Sequence, residues 1–425
     1  MYLKTKDVSF LLFIFLIGGI ALQKRNFTYI KIGPIFITEF IMILLLLFIF
    51  TKLSISQNHI IIKGYHSNIL AKFLVAYFMI GLIYLLGDLL SLDEVTLFEC
   101  LRNFSLVYYS LFSLIVYFIF KTFTLEKIDK FFFTILLMNS LAGTVVIFMY
   151  IFNLETFIPK DGGIIGGPAS LISAFASLIS FHYIVSKENN KLIYIFLLLA
   201  NSLFTFLSGH RSAYLALIIG LIVYLLLTRK IKIAVLLPLF ISMFIVSLIL
   251  LKQSQVLAES VIRIFGNIEE LIYNKLSDPN AYWRYLYWNN VIQEVVSKPW
   301  GIGFDYSLSK LAPWEVWAER PSEIEFRSSV RLDPHNSYIA ILARVGFVGF
   351  TVFVLIFAYY ILFTYKMLRR LNNERKGYAI LNLACFIAVA TFAGFNVTLE
   401  GPYHGIFFWI FIGIGMAIYS QSNTK

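Results

Sequence analysis

Residues 337–365 have the sequence SYIAILARVGFVGFTVFVLIFAYYILFTY, in which Arg344 is the only charged side chain. An α-helix needs about 20 consecutive, mostly apolar residues to cross the hydrocarbon core of a bilayer. Inside lipid every backbone N–H and C=O needs a partner within the protein, so an apolar run of this length is expected to be helical. The stretch therefore predicts a membrane-spanning helix.

The rest of the chain has the same character. Of its 425 residues, 59% are hydrophobic and 14% are charged, whereas a soluble domain carries about 25% charged residues. We predict an all-α integral membrane protein of about 12 transmembrane helices, with 1–251 forming helices 1–9, 252–336 an extracytoplasmic (periplasmic) loop and 337–425 helices 10–12. The predicted spans are 8–23, 33–51, 69–90, 103–120, 131–152, 164–185, 192–208, 211–228, 232–251, 337–365, 378–397 and 404–420.

Basic residues set the predicted orientation. With both termini in the cytoplasm, the inside segments hold 19 of the 35 Lys and Arg residues and the short outside segments hold six. Cytoplasmic loops are enriched in these residues, although Lys24, Arg25 and Lys31 go against the trend. The net charge of +11 thus reflects topology, and nucleic acid is not an expected partner.

The loop 252–336 differs from the spans in composition. Its 85 residues include 13 aromatic, nine basic and eleven acidic side chains. Disordered segments are poor in aromatic residues, so we expect this loop to fold against the outer face of the helices. Residues 282–296 have the pattern of an amphipathic helix, and Pro299, Gly301 and Gly303 predict a turn after it.

The first candidate site is the stretch Ser208-Gly209-His210-Arg211, between two closely spaced spans. This position places Arg211 at the extracytoplasmic boundary of the membrane or just inside it. A guanidinium group stays charged and binds phosphate through two hydrogen bonds, so Arg211 is a candidate anion-binding residue. The alternative is an arginine that only anchors the end of its helix.

The second candidate is the stretch 282–288 of the loop, YWRYLYW. Arg284 among aromatic rings suits a sugar phosphate, with aromatic faces against the sugar and the guanidinium group against the phosphate. A cation–π or packing arrangement is the alternative.

The third candidate precedes the tenth span, where Asp333, Pro334, His335 and Asn336 follow one another. An imidazole has a pKa near neutrality without tuning, so His335 is a candidate general base, and Asn336 or Asp333 could orient its ring. His335 could instead cap the helix. Arg344 lies within the span, where a charge is either functional or extends to the interface.

Other function classes lack support in the sequence. There is no nucleotide-binding glycine motif and no cluster with metal-ligand spacing. A polysaccharide or small-molecule transporter is the main alternative, but transporters usually contain internal repeats and broken helices. No convincing two-fold repeat is present.

Taken in order, these motifs resemble the O-antigen ligase and O-antigen polymerase superfamily of membrane glycosyltransferases. The family pattern is Ser-x-x-Arg opening a span, a large periplasmic loop with a second Arg, and His-Asn before a span with Gly-x-x-Gly. The matching residues here are Ser208, Arg211, Arg284, His335, Asn336, Gly346 and Gly349. Many members carry an acidic residue where this chain has Arg344. The resemblance implies a GT-C-like fold in the bacterial inner membrane.

The resemblance also implies a reaction. His335 would deprotonate the acceptor hydroxyl, and Arg211 and Arg284 would bind the pyrophosphate of an undecaprenyl-pyrophosphate-linked oligosaccharide. Supporting residues would be Asn336, Asp333, Arg344, Trp283 and Tyr287. No metal and no cofactor are expected, and the partners are the lipid-linked substrate, the bilayer and a chain-length regulator protein. A polymerase and a ligase share this chemistry; the slight acidic excess of the loop favours the polymerase.

Overall fold

The computed structural model describes residues 5–23, 25–32, 35–55, 65–90, 95–121, 125–152, 170–187, 189–229, 279–316 and 333–420. The helices in these residues are α1 (Thr5–Gln23), α2 (Arg25–Thr28), α3 (Ile37–Ile55), α4 (Tyr65–Leu90), α5 (Leu97–Asn103), α6 (Ser105–Tyr108), α7 (Leu111–Phe120), α8 (Leu125–Ile151), α9 (Ser170–Ser186), α10 (Lys191–Leu207), α11 (Arg211–Thr228), α12 (Pro279–Ser297), α13 (Ser337–Met367), α14 (Asn373–Ala393) and α15 (Gly405–Ser420). Two short antiparallel strands, β1 (Lys31–Ile32) and β2 (Ile35–Phe36), lie between α2 and α3.

The helices confirm an all-α, multi-pass membrane protein. Within the described residues, α4, α8, α11, α13 and α14 are long and apolar enough to cross a membrane, and the bent unit of α5, α6 and α7 makes a sixth. Five shorter helices, α1, α3, α9, α10 and α15, are also apolar. The predicted span 232–251 lies outside the described residues, so the number of twelve spans stays a prediction.

The centre of the bundle is formed by α15, all of whose side chains are buried. Polar side chains of neighbouring helices bond to its backbone. Asn382 of α14 donates to the carbonyl of Phe411 at 2.7 Å, and Ser113 of α7 donates to the carbonyl of Trp409 at 2.8 Å. Such hydrogen bonds between helices fix their packing inside a membrane, where apolar surface alone does not.

The two ends of the helix bundle are defined by the helices that begin and finish there. Helices α11 and α13 begin at one end, which we call the loop end because α12 contacts it. At this end Ser212 near the start of α11 accepts a hydrogen bond from Asn396, just after α14, at 2.6 Å. At the opposite end α11 and α13 finish and α14 begins. All three predicted site motifs belong to the loop end.

Candidate functional site

The turn between α10 and α11 is shaped by its own side chains. Ser208 donates to the carbonyl of Thr205 at 2.6 Å and accepts from the backbone N–H of His210. Gly209 has a φ of +72°, a left-handed conformation that glycine adopts without steric cost. This turn ends α10 and starts α11 at Arg211, whose side chain is exposed at the loop end.

The predicted amphipathic helix is confirmed as α12. Its buried side chains recur every four residues, at Trp283, Tyr287, Val291 and Val295, as expected of one apolar face. Arg284 lies beside this face and is partly exposed. Its Nη1 donates to the carbonyl of Phe395, beyond the end of α14, at 3.2 Å. The contact holds Arg284 against the loop end of the bundle.

The aromatic residues of α12 divide into two sets. Trp283 and Tyr287 are 6% and 0% exposed, and the Tyr287 hydroxyl donates to the carbonyl of Leu308 at 2.9 Å. Trp283 and Tyr287, expected as supporting residues, thus form the interior of the loop. Tyr282 and Tyr285 are the exposed rings, at 40% and 57%.

His335 lies against α12 in a left-handed backbone conformation, with a φ of 50°. Its ring packs edge-on against Trp283 with the ring centroids 6.1 Å apart. Trp288 donates to the carbonyl of Pro334, so two tryptophans of one helix hold the segment. Burial and then the nearby Arg284 charge lower the pKa of His335 to about 4. The imidazole is therefore neutral at pH 7, although its pKa is well below the near-neutral value that the sequence suggests.

Electrostatics connects the three motifs. The pKa of His210 is also lowered, first by burial and then by the charge of Arg284. Arg284 thus acts on His335 and on His210, the residue directly before Arg211. The structure therefore brings Arg284 and His335, which are 51 positions apart in the chain, into one electrostatic neighbourhood beside the start of α11.

The structure gives Asn336 a role that differs from the ring-orienting role suggested by the sequence. Its Oδ1 accepts hydrogen bonds from the N–H groups of Tyr338 and Ile339, at 3.1 and 3.3 Å. Asn336 is thus the N-cap of α13, a role that asparagine favours strongly. The helix is capped by Asn336 rather than by His335. Asp333 acts on the site through its charge, which opposes the lowering of the His335 pKa.

A polar segment between α14 and α15 completes the site, and the sequence did not single it out. Ser337, two residues after His335, donates to Glu400 Oε2 at 2.6 Å. The Ser337 hydroxyl oxygen accepts from the N–H groups of Thr398 and Leu399. Since Asn396 bonds Ser212, this segment joins the starts of α11 and α13. Its sequence signal is a short polar stretch with Asn396, Thr398 and Glu400 between the last two apolar runs.

Arg344 lies inside α13, as predicted, and is 2% exposed. Its Nη1 donates to the carbonyls of Gly303 and Tyr306, at 3.0 and 2.5 Å. Asp88 of α4 lies within reach of its charge and accepts from the N–H of Phe304 at 2.6 Å. Arg344 therefore clamps the loop segment 303–306 onto the bundle.

The glycine after Val345 makes this clamp possible. Gly346 interrupts α13 with a φ of 60° and a ψ of −170°. A Cβ atom there would lie 2.2 Å from the carbonyl carbon of Trp300. The loop backbone enters the kink, where the N–H of Phe347 bonds to Pro299 at 3.0 Å and the N–H of Ile302 bonds to Ala343 at 2.6 Å. Any other residue at 346 would push this loop away.

The described residues form a multi-pass helical membrane protein in which α12 and the segment after it pack on one end of the helices. Residues 194–354 match the family described as O-antigen ligase. The match extends from α10 into α13 and contains Arg211, Arg284 and His335. It confirms the predicted resemblance to the O-antigen ligase and polymerase superfamily and supports a membrane glycosyltransferase. No curated protein matches the chain.

Proposed function

We propose that the protein is an inverting, metal-independent glycosyltransferase that polymerises undecaprenyl-pyrophosphate-linked repeat units of O-antigen or a related surface polysaccharide. One observation carries the proposal. Arg284 and His335, from separate motifs, share one electrostatic neighbourhood beside Arg211, within the matched region. This set of groups suits transfer from a diphosphate leaving group to a hydroxyl.

The chemistry needs a base and cations. In the proposed step His335 takes the proton of the acceptor hydroxyl, whose oxygen attacks the anomeric carbon of the donor. The bond between that carbon and the pyrophosphate oxygen breaks, and undecaprenyl pyrophosphate leaves with the electron pair. Because the diphosphate is a stable anion, no acid has to protonate it. Arg211 and Arg284 stabilise its developing charge, as positioned cations do.

Donor binding would strengthen the base. Without substrate, Arg284 disfavours the imidazolium form of His335. A pyrophosphate bound to Arg284 would offset that charge, and an opposite charge within about 4–6 Å moves a pKa by roughly 1–3 units toward the charged form. The pKa of His335 would then rise toward neutrality once the donor is in place, so that proton abstraction is coupled to donor binding.

Ligation is the second candidate, because the matched family is described as O-antigen ligase. A ligase transfers finished glycan to lipid A-core or another acceptor, whereas a polymerase transfers the growing chain to another lipid-linked repeat unit. The loop 252–336 has nine basic and eleven acidic residues. A face that meets phosphorylated core is expected to be more basic, so we favour the polymerase.

The lipopolysaccharide of a deletion strain separates the two candidates. Loss of a polymerase leaves core with a single repeat unit. Loss of a ligase leaves bare core with accumulated lipid-linked polymer, and that pattern would overturn the polymerase assignment while keeping the reaction class.

The proposal places the loop end at the periplasmic face of the inner membrane. Lys187 lies at the opposite end, after α9, and Lys310 lies in the short 3-10 turn at Leu308–Leu311 beside α12. Reporter fusions after Lys187 and after Lys310 should report the cytoplasm and the periplasm, respectively. The same compartment for both fusions would contradict this topology.

Transfer by the purified protein tests the function itself. Protein in nanodiscs is given lipid-linked donor and acceptor, with and without EDTA. We expect lengthened lipid-linked glycan and an equal rate in both samples. A rate that falls with EDTA and returns with a divalent cation would refute the metal-independent mechanism.

A further inference from the structure

A cavity of about 910 Å³ lies at the opposite end of the bundle from the candidate site. Its walls come from the ends of α9, α11 and α13 and the start of α14. Since α11 begins beside the candidate site and has 18 residues, about 27 Å separates the two places along that helix at 1.5 Å per residue. The cavity is therefore a separate feature from the proposed active site.

The lining carries an excess of positive charge. Its cationic side chains are Lys187, Arg229, Arg369 and Lys376, and Glu374 is its one acidic member. Arg229 and Arg369 are exposed. The four cations come from four different elements of the chain, namely the end of α9, the end of α11, the segment after α13 and the first turn of α14.

One of these cations, Lys187, is held in an ion pair in the cavity wall. Lys187 Nζ lies 3.2 Å from Asp129 Oδ2. The hydroxyls of Tyr183 and Tyr378 donate to the other oxygen of Asp129, at 2.8 and 2.7 Å. This network joins α8, α9 and α14 and fixes one side of the cavity. With Lys187 neutralised by Asp129, Arg229, Arg369 and Lys376 against Glu374 leave a net charge of +2 facing the cavity.

Apolar side chains also line the cavity. They are contributed by the last turns of membrane-length helices, in Leu226 and Leu227 of α11, and by Ile380 of α14. A lining that combines cationic and aliphatic side chains matches a molecule with an anionic head and a hydrocarbon body. Basic pockets between transmembrane helices at the cytoplasmic side bind anionic lipid headgroups in this way.

We propose that this cavity binds the phosphate headgroup of an anionic phospholipid. Arg369 and Arg229 supply guanidinium groups for bidentate contacts to phosphate oxygens, and Lys376 supplies a further point charge. The acyl chains would pass along the aliphatic side chains of α11 and α14. A bound lipid would link the ends of α11 and α13 to the start of α14. The opposite ends of these three helices form the proposed active site.

Thermal unfolding of the full-length protein in a neutral detergent tests this proposal. Phosphatidylglycerol is added to one sample, phosphatidylcholine to a second and inorganic phosphate to a third. We expect phosphatidylglycerol to raise the melting temperature more than phosphatidylcholine, because a ligand that binds only the folded state stabilises it. Inorganic phosphate should give a smaller rise, because it lacks acyl chains.

A matched pair of double variants locates the effect. Arg369→Gln with Lys376→Gln removes two charges from the lining. Lys366→Gln with Arg370→Gln removes two charges from exposed neighbours outside it. We expect at least a tenfold loss of phosphatidylglycerol affinity in the first variant and little change in the second. Equal loss in both, or equal stabilisation of wild type by the two lipids, would overturn the proposal.

Native mass spectrometry gives a reading that needs no variant. Wild-type protein in mixed lipid should retain phosphatidylglycerol in preference to phosphatidylcholine.

The thermal-unfolding experiment also distinguishes a lipid from a free phosphate compound. If inorganic phosphate raises the melting temperature as much as phosphatidylglycerol and the Arg369→Gln, Lys376→Gln variant loses that rise, the cavity takes a free phosphate compound and the lipid assignment is wrong.

Discussion

Arg344 and Arg284 both lie near the loop end, yet they are held in different ways. Arg344 is 2% exposed and bonds two loop carbonyls, with Asp88 close to its charge. Arg284 is partly exposed and donates to the carbonyl of Phe395 at 3.2 Å. The first region is a clamp between loop and bundle. The second region carries a partly exposed guanidinium group whose charge acts on His335 and His210.

The difference shows how a charge in a membrane protein should be interpreted. A charge inside a span is a functional candidate by default, and by that rule Arg344 ranks above Arg284. Burial reverses the ranking, because Arg344 is 2% exposed and bonded to loop carbonyls, whereas Arg284 is partly exposed. Substitution of Arg344 in the clamp should therefore affect folding. Substitutions at the candidate active site, which contains Arg211, Arg284 and His335, should affect turnover.

The largest expected effect is at the candidate active site. Arg211→Ala and Arg284→Ala should each abolish glycan transfer while the amount of protein in the membrane stays unchanged. Arg284→Lys should restore little, because a point charge does not reproduce bidentate contact with phosphate. Transfer assays beside quantified immunoblots measure both quantities. Full activity of Arg284→Lys would mean that Arg284 packs against its neighbours and does not bind pyrophosphate.

The next effect is at the clamp. Arg344→Ala removes the donor from the carbonyls of Gly303 and Tyr306, and an unsatisfied buried polar group costs about 1–3 kcal/mol. We expect a lower melting temperature in detergent and less protein in the membrane. Arg284→Ala is the matched control and should unfold like wild type. A stable but inactive Arg344→Ala protein would instead place Arg344 in the active site.

The pH dependence of His335 sharpens the comparison further. The neutral ring is the reactive form toward diethyl pyrocarbonate, and the pKa of His335 is about 4. Its modification rate in wild type should therefore change little between about pH 5 and pH 7.5. Arg284→Gln removes a charge that lowers this pKa, so the pKa rises and the rate falls at the acidic end. Peptide mass spectrometry measures the rate, and identical profiles would show that Arg284 does not act on His335.

The smallest effect concerns the two kinds of aromatic residue in α12. Tyr287→Phe removes the hydrogen bond to the carbonyl of Leu308 and should cost about 1 kcal/mol of stability. Tyr285→Phe alters a ring that is 57% exposed and should leave the melting temperature unchanged. A Tyr287→Phe protein as stable as wild type would show that the loop interior does not depend on this bond.

The sequence predicts the helices well because their signal is local. The amphipathic pattern at 282–296 became α12, Pro279–Ser297, and the apolar run at 337–365 became α13, Ser337–Met367. Both signals depend only on the order of apolar and polar residues, which determines which side chains can be buried. The candidate residues Arg211, Arg284 and His335 likewise came from short motifs and a resemblance.

The partners of these residues could not be predicted in this way. Asn396 and Ser212 are 184 positions apart, and no local pattern indicates that they meet. The burial of Trp283 and Tyr287 depends on the fold of the whole loop, and the low pKa of His335 depends on Arg284 from another element. The carbonyl partners of Arg344 lie in an irregular segment. Each of these features is set by packing between distant parts of the chain.

The turnover of His335→Ala with a lipid-linked donor tests the central claim most directly. Positioned proton transfer contributes about 10²–10⁴-fold to rate, so turnover should fall by that factor. Donor affinity should remain close to that of wild type, because Arg211 and Arg284 bind the pyrophosphate. The protein is assayed in nanodiscs, with donor binding measured separately from turnover. Near-normal turnover in His335→Ala would contradict the assignment of His335 as the base, even if the family resemblance holds.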